Sequence, residues 1–289
     1  MKIAGLPVTS YSPSMVKLLT TAEVRALTTQ ELSNLTSTQL NNLSTLQIQA
    51  IAVDRISSIS QLNGLLIDKI ISLTNEQVQN LSSQQLNSLS STQVSALTST
   101  EIQALTTTQA AALSTGFVSA LTNTQLSKLD AEDVALLSTG VISALKSAQV
   151  QGLSSSQVAA LTTDQAASLS TTALAGLSAT QVAAMETQDL AQLSTTNIRS
   201  ITPAALAGLT AAQVSSLDPG VLNALSSSQV AALTSTQVQA LTTTQAAALS
   251  TGFVSALTNK QLGQLHAEDV ALLSTGVISA LKSAQVQGL

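Results

Sequence analysis

From Leu233 to Leu241 the chain reads LTSTQVQAL, and the reading of these nine residues decides the fold. Thr234 and Gln237 stand in the order Ser/Thr-x-x-Gln/Glu of the capping box. In that motif the hydroxyl accepts from the backbone N–H three residues on, and the Gln side chain accepts from the N–H of the cap residue. With Thr234 at the N-cap, Leu233 falls at N′ and Val238 at N4, the two partners of a hydrophobic staple. Ala240 is small, and Leu241 begins the same pattern again. The stretch encodes a helix start, one and a half to two turns of helix, and a fresh start eight residues on.

Outward from here the octad runs through nearly the whole chain. Its first position is apolar every eight residues from Leu65 to Leu289, with Met185 and Ile201 the only non-Leu residues. Upstream the same spacing links Tyr11, Leu19, Leu27, Leu35, Leu43, Ile51 and Ile59, and a shortened unit of six residues then leads to Leu65. Of the 35 units, 29 carry Ser, Thr or Asp at position 2, and more than half carry Gln or Glu at position 5. Position 6 is apolar, as at Val24, Leu86, Val158 and Val230, and position 8 is mostly Ala, Gly or Ser. Proline tests the register independently, because it is favoured at the first helical position. Pro13, Pro203 and Pro219 all occupy position 3, behind the good N-caps Ser12, Thr202 and Asp218.

Other architectures fit less well. In one continuous helix the Leu row would rotate by about 80° per octad. A strand needs period-two alternation, which positions 6, 8 and 1 do not supply. The expected fold is all-α: a solenoid or superhelix of very short helices, one per eight-residue repeat, with a β-solenoid as the alternative. Helices shorter than about 12–15 residues are marginal alone, so stacked neighbours must supply the stability, as in other solenoids. Positions 1 and 6 are expected to line a narrow interior, position 8 to let coils approach, and positions 3, 4 and 7 to face solvent.

Composition narrows the function. The 289 residues are 44% hydrophobic but only 9% charged, against roughly 25% in an average domain. Ser and Thr number 79, and there are two Phe, one Tyr, one His and no Cys. Without Cys there is no disulfide framework, thiolate metal site or Cys nucleophile, and one His cannot build a His-based metal site. A net charge of -5 argues against nucleic-acid binding. No stretch reaches the 18 or so consecutive apolar residues of a transmembrane helix. The segment Met1–Ser14 lacks the apolar core of a secretory signal.

Three segments are expected: an N-terminal cap or docking arm over 1–10, a first array over 11–64 ending in the shortened unit, and a second over 65–289. Within the second, residues 96–153 recur as 232–289 with six differences in 58 residues. Such block duplication is the habit of long repetitive proteins. An array ending on a position-1 Leu, with no atypical last unit, is expected to continue into more chain or to be covered by another subunit.

Candidate sites are few. His266 sits at an N-cap whose duplicate is Asp130, an interchange that reads as a tolerant surface cap. Asp130, Glu132 and Asp133, repeated as Glu268 and Asp269, favour helix N-termini and fall far short of a calcium site. Phe117 and Phe253 take position 5, as do Val141, Val221 and Val277. The two Phe, with Tyr11 at the start of the array, are the candidates for lateral or end-to-end contacts. The threonine tracks 106–108 and 242–244 would suit ice or polysaccharide binding if they formed a flat hydroxyl ladder. No catalytic, cofactor or metal residue is expected, since a Ser or Thr nucleophile needs a positioned base.

Strings such as ALTSTEIQAL (96–105) and ALTSTQVQAL (232–241) resemble the ALTTAQVQAL octads of very large repetitive bacterial proteins, labelled haem-utilisation, haemagglutinin-like or adhesion proteins. The resemblance covers nearly all the chain from Tyr11. It implies an exported or cell-surface protein with structural or adhesive duties. The function expected is therefore a non-enzymatic extracellular repeat protein forming a fibre, stalk or surface layer by self-association. An adhesin-type module contacting carbohydrate or ice is the alternative.

Overall fold

A computed structural model describes residues 7–287. Among them the secondary structure is 33 α-helices of four to six residues and three 3-10 turns, with no strand. The chain is thus a helical solenoid with one short helix per octad, and the β-solenoid alternative falls. Two compact units divide it, residues 1–141 and 142–289.

The founding stretch folds as its residues dictate. Thr234 has extended backbone and its hydroxyl accepts from the Gln237 N–H at 3.2 Å, while the Thr234 N–H donates to Gln237 Oε1 at 2.7 Å. Helix Ser235–Gln239 follows, and the Leu241 N–H closes it by donating to the Val238 carbonyl at 3.3 Å. The chain then returns to extended backbone and the next cap, Thr242, starts helix Thr243–Ala247. The prolines hold the first helical position after Ser12, Thr202 and Asp218. Positions 1 and 6 form the core: Leu97, Ile102 and Leu105 in the first unit, Val230, Leu233 and Val238 in the second, are all buried.

Within each unit, helices pack on those three octads along, as Thr107–Ala111 does on Ala131–Leu136 and Thr243–Ala247 on Ala267–Leu272. Small residues at position 8 permit this approach. A Cβ on Gly208 would lie 2.1 Å from the Ala179 carbonyl oxygen, and one on Gly176 would lie 2.5 Å from that of Ser147.

The shortened unit is absorbed by a change of helix type. Neither Ala52 nor Leu66 can cap, and the chain there forms the 3-10 turns Val53–Ser58 and Leu62–Gly64, then helix Ile67–Ile70 without a side-chain cap. Of the arm expected over 1–10, residues 1–6 lie outside the described residues. The rest is built into the first coil: Val8 is buried, and the Thr9 and Tyr11 carbonyls accept from Gln39 Nε2 at 3.3 and 2.8 Å.

Candidate functional site

The dominant chemical feature is a ladder of buried glutamines. At position 5 the Gln side chain completes its own capping box with Oε1, which leaves its NH2 group pointing across to the preceding coil. Gln109 Nε2 donates to the Val78 and Leu81 carbonyls at 2.8 and 2.7 Å, 31 and 28 residues earlier. Gln125 does the same to Val94 and Leu97, and in the second unit Gln181, Gln213, Gln229, Gln245 and Gln261 repeat it. A spacing of 28 residues is three and a half octads, so each Gln seats over the junction between two helices of the coil below. These amides are almost wholly buried, yet each has partners for its oxygen and nitrogen, the condition for burying a polar group without penalty.

Other residues at position 5 sort by whether they can donate. Arg55 takes the role with Nη1, 2.8 Å from the Leu27 carbonyl. Asn197, one methylene shorter, reaches the Leu169 carbonyl only at 3.4 Å. Glu101, Asp133 and Asp189 are buried carboxylates, each with one buried oxygen that has no hydrogen-bond partner. Burial pushes the Glu101 carboxyl up from its ordinary value, against the pull of hydrogen bonds from Thr98. The Asp133 carboxyl is also pushed up, by burial and then by the charges of Asp130 and Glu132. For Asp189, burial raises it, a hydrogen bond with Thr163 opposes, and Glu186 adds a smaller upward push.

The clasping role of Gln escaped the sequence reading, which assigned it to the cap alone. A signal was present: position 5 carries 17 Gln and only three Glu, although either completes a capping box. Only Gln also donates.

The expected contact residues lie inside the array: Phe117 and Phe253 are each 2% exposed and Tyr11 is 3% exposed. Position 5 faces inward at both Phe, and Tyr11 holds position 1, which lines the core. Val141, Val221 and Val277 are buried in the same way. His266 is exposed at its N-cap and makes no side-chain capping bond, and its duplicate Asp130 makes none either. In each threonine track the first residue, Thr106 or Thr242, caps a helix, while Thr107, Thr108, Thr243 and Thr244 are exposed.

A family model described as the ALTTAQ repeat matches residues 70–107, 126–163, 141–171, 182–219 and 217–251, just over half of the chain. The chain belongs to the ALTTAQ repeat family. A comparison with curated proteins gives no match.

An open cleft of about 530 Å³ lies beside His266 in the second unit, lined also by Thr242, Thr243, Glu268 and Asp269. Among the described residues, no group of three or more His, Asp or Glu could hold a metal ion, and no helix is long and apolar enough to cross a membrane. A second, serine-rich cleft of about 320 Å³ opens in the first unit where 3-10 turns replace α-helix, between Ser57, Ser60, Asn63 and Ser88.

Proposed function

We propose that this ALTTAQ chain is a non-catalytic structural element of an exported protein, building a fibre, stalk or surface layer by stacking octad coils end to end. One observation carries the reading. Position 6 is buried along most of the array, as at Val230 and Val254, but Val270 is half-buried, and Ile278 and Val286 at the same position are 42% and 55% exposed. A coil of octads stacked on that face would cover such a row, as coils inside the array cover theirs. The glutamine ladder supplies the specificity, since a coil added in register presents NH2 groups to carbonyls that await them. The exported location rests on the likeness of the octads to those of large bacterial surface proteins. Negative-stain microscopy of the purified chain is expected to reveal rods or filaments lengthening with concentration, and protease treatment of intact source cells to remove it. Compact particles of one size at all concentrations would count against assembly.

A second reading, an adhesin-type surface for carbohydrate or ice, is favoured by the exposed pairs Thr107, Thr108 and Thr243, Thr244. A thermal-hysteresis assay and a glycan array test it; silence on both leaves the structural role.

A further inference from the structure

Glu101 stands at a position built for a donor. Its Oε2 accepts from the Thr98 N–H at 2.6 Å, just as Gln237 Oε1 accepts from Thr234 at 2.7 Å in the duplicated block. The other arm differs. Gln237 Nε2 donates to the Leu206 and Leu209 carbonyls at 2.9 and 2.8 Å, 31 and 28 residues earlier. Glu101 has an oxygen instead, Oε1, buried and without a partner. The same spacing from Glu101 leads to Ile70 and Leu73. An ionised carboxylate can only accept, so it cannot bond to a carbonyl; a protonated one carries an O–H that can.

We propose that Glu101 is a proton-operated clasp between successive coils: protonated, it ties its coil to the backbone carbonyls at Ile70 and Leu73, and ionised, it releases them. Asp133 and Asp189 lack the reach, as the 3.4 Å contact of the equally short Asn197 demonstrates. Glu101 has the length of Gln. Its charged surroundings are sparse. Helix Asn75–Gln79, packed against it, carries the exposed Glu76, and helix Asn123–Leu126 is uncharged, with exposed Lys128 just beyond. Helix Ile67–Ile70, at the acceptor carbonyls, carries Asp68 and Lys69, which pair with each other at 2.9 Å. Burial favours the protonated form of Glu101 and so moves the clasp's working range above that of a free carboxyl.

The test is hydrogen exchange read by mass spectrometry on the full chain at pH 4 and pH 7, corrected for intrinsic exchange, in wild type, Glu101→Gln and Gln237→Glu. Wild type is expected to gain about tenfold protection around residues 70–73 and 98–104 on acidification, the scale of one added hydrogen bond. Glu101→Gln is expected to hold the higher protection at both pH values. Gln237→Glu should carry the pH dependence into residues 206–209 and 234–240. The proposal is overturned if Glu101→Gln keeps the wild-type pH dependence there, or if Gln237→Glu acquires none. A Glu101→Gln chain that failed to fold would contradict it too, because Gln237 fills the same role in the duplicate.

Discussion

The side-chain amide of Gln245 donates to the carbonyl of Leu217, 28 residues earlier, at 2.7 Å, and to that of Val214 at 2.8 Å. Its oxygen meanwhile accepts from the Thr242 N–H at 2.9 Å. One side chain therefore starts a helix and fastens it to the coil below. Gln245→Ala removes all three bonds and strands buried backbone groups. With a net loss of about 1 kcal/mol per bond, the expected cost is about 3 kcal/mol. Urea unfolding followed by circular dichroism measures it; a loss under about 1 kcal/mol would mean that the ladder is ornamental.

Glycines at different octad positions should respond oppositely to alanine. At Gly208 the new Cβ meets three backbone atoms of Ala179, with contacts of 2.1 to 2.7 Å. Backbone cannot step aside as a flexible side chain can, so Gly208→Ala is expected to cost about 2–3 kcal/mol through overpacking. At Gly252 the nearest atom is 3.7 Å away, the Ser250 Oγ. There Ala gains helix propensity, and Gly252→Ala is expected to be neutral or to stabilise by up to about 1 kcal/mol. Paired melting curves decide this, and equal shifts would contradict the stacking geometry.

Phe253 belongs to the core. Truncation to Ala should cost about 3–5 kcal/mol, the range for deleting a buried aromatic ring, and Phe117→Ala should behave alike. A surface contact residue would instead lose association while keeping its melting temperature. Calorimetry beside light scattering separates the two outcomes.

Acid should favour the array at Asp189. Its carboxyl, ordinarily near 3.8, is held higher in the folded state. Between the unfolded and folded values the native chain keeps a proton that the unfolded chain has released. Stability therefore falls as pH rises through that window: the contribution is complete below about 3.8 and is lost above the folded value. Asp189→Asn removes this dependence. Urea midpoints at pH 4 and pH 7 should converge in the variant relative to wild type, and an unchanged difference would refute the reading.

Assembly is testable at the uncovered row. Asp at Ile278 and at Val286, which are already exposed, should leave the fold nearly as stable as before while placing charges where another coil would seat. Sedimentation is expected to report a loss of higher-order species of about tenfold or more, since burying an unpaired carboxylate is strongly unfavourable. Unchanged assembly would remove this face from the mechanism.

Most of the architecture was legible along the chain, because it is built from local rules. Thr234, Gln237, Leu233 and Val238 lie within six residues, and cap, box and staple are all interactions of that range. Thus the helix starts, their eight-residue period, the register of the prolines and the all-α class follow from the sequence itself. The burial of Phe117 and Phe253 did not. Position 5 completes a local cap, and nothing within its own octad says that a coil 28 residues away closes over it. Only the superhelix brings Gln245 to Leu217, turns position 5 inward, and makes the difference between Gln237 and Glu101 one of donor against acceptor. That distinction needs a partner from another coil, and the number of octads per coil arises from small rotations summed over several turns rather than from any single motif.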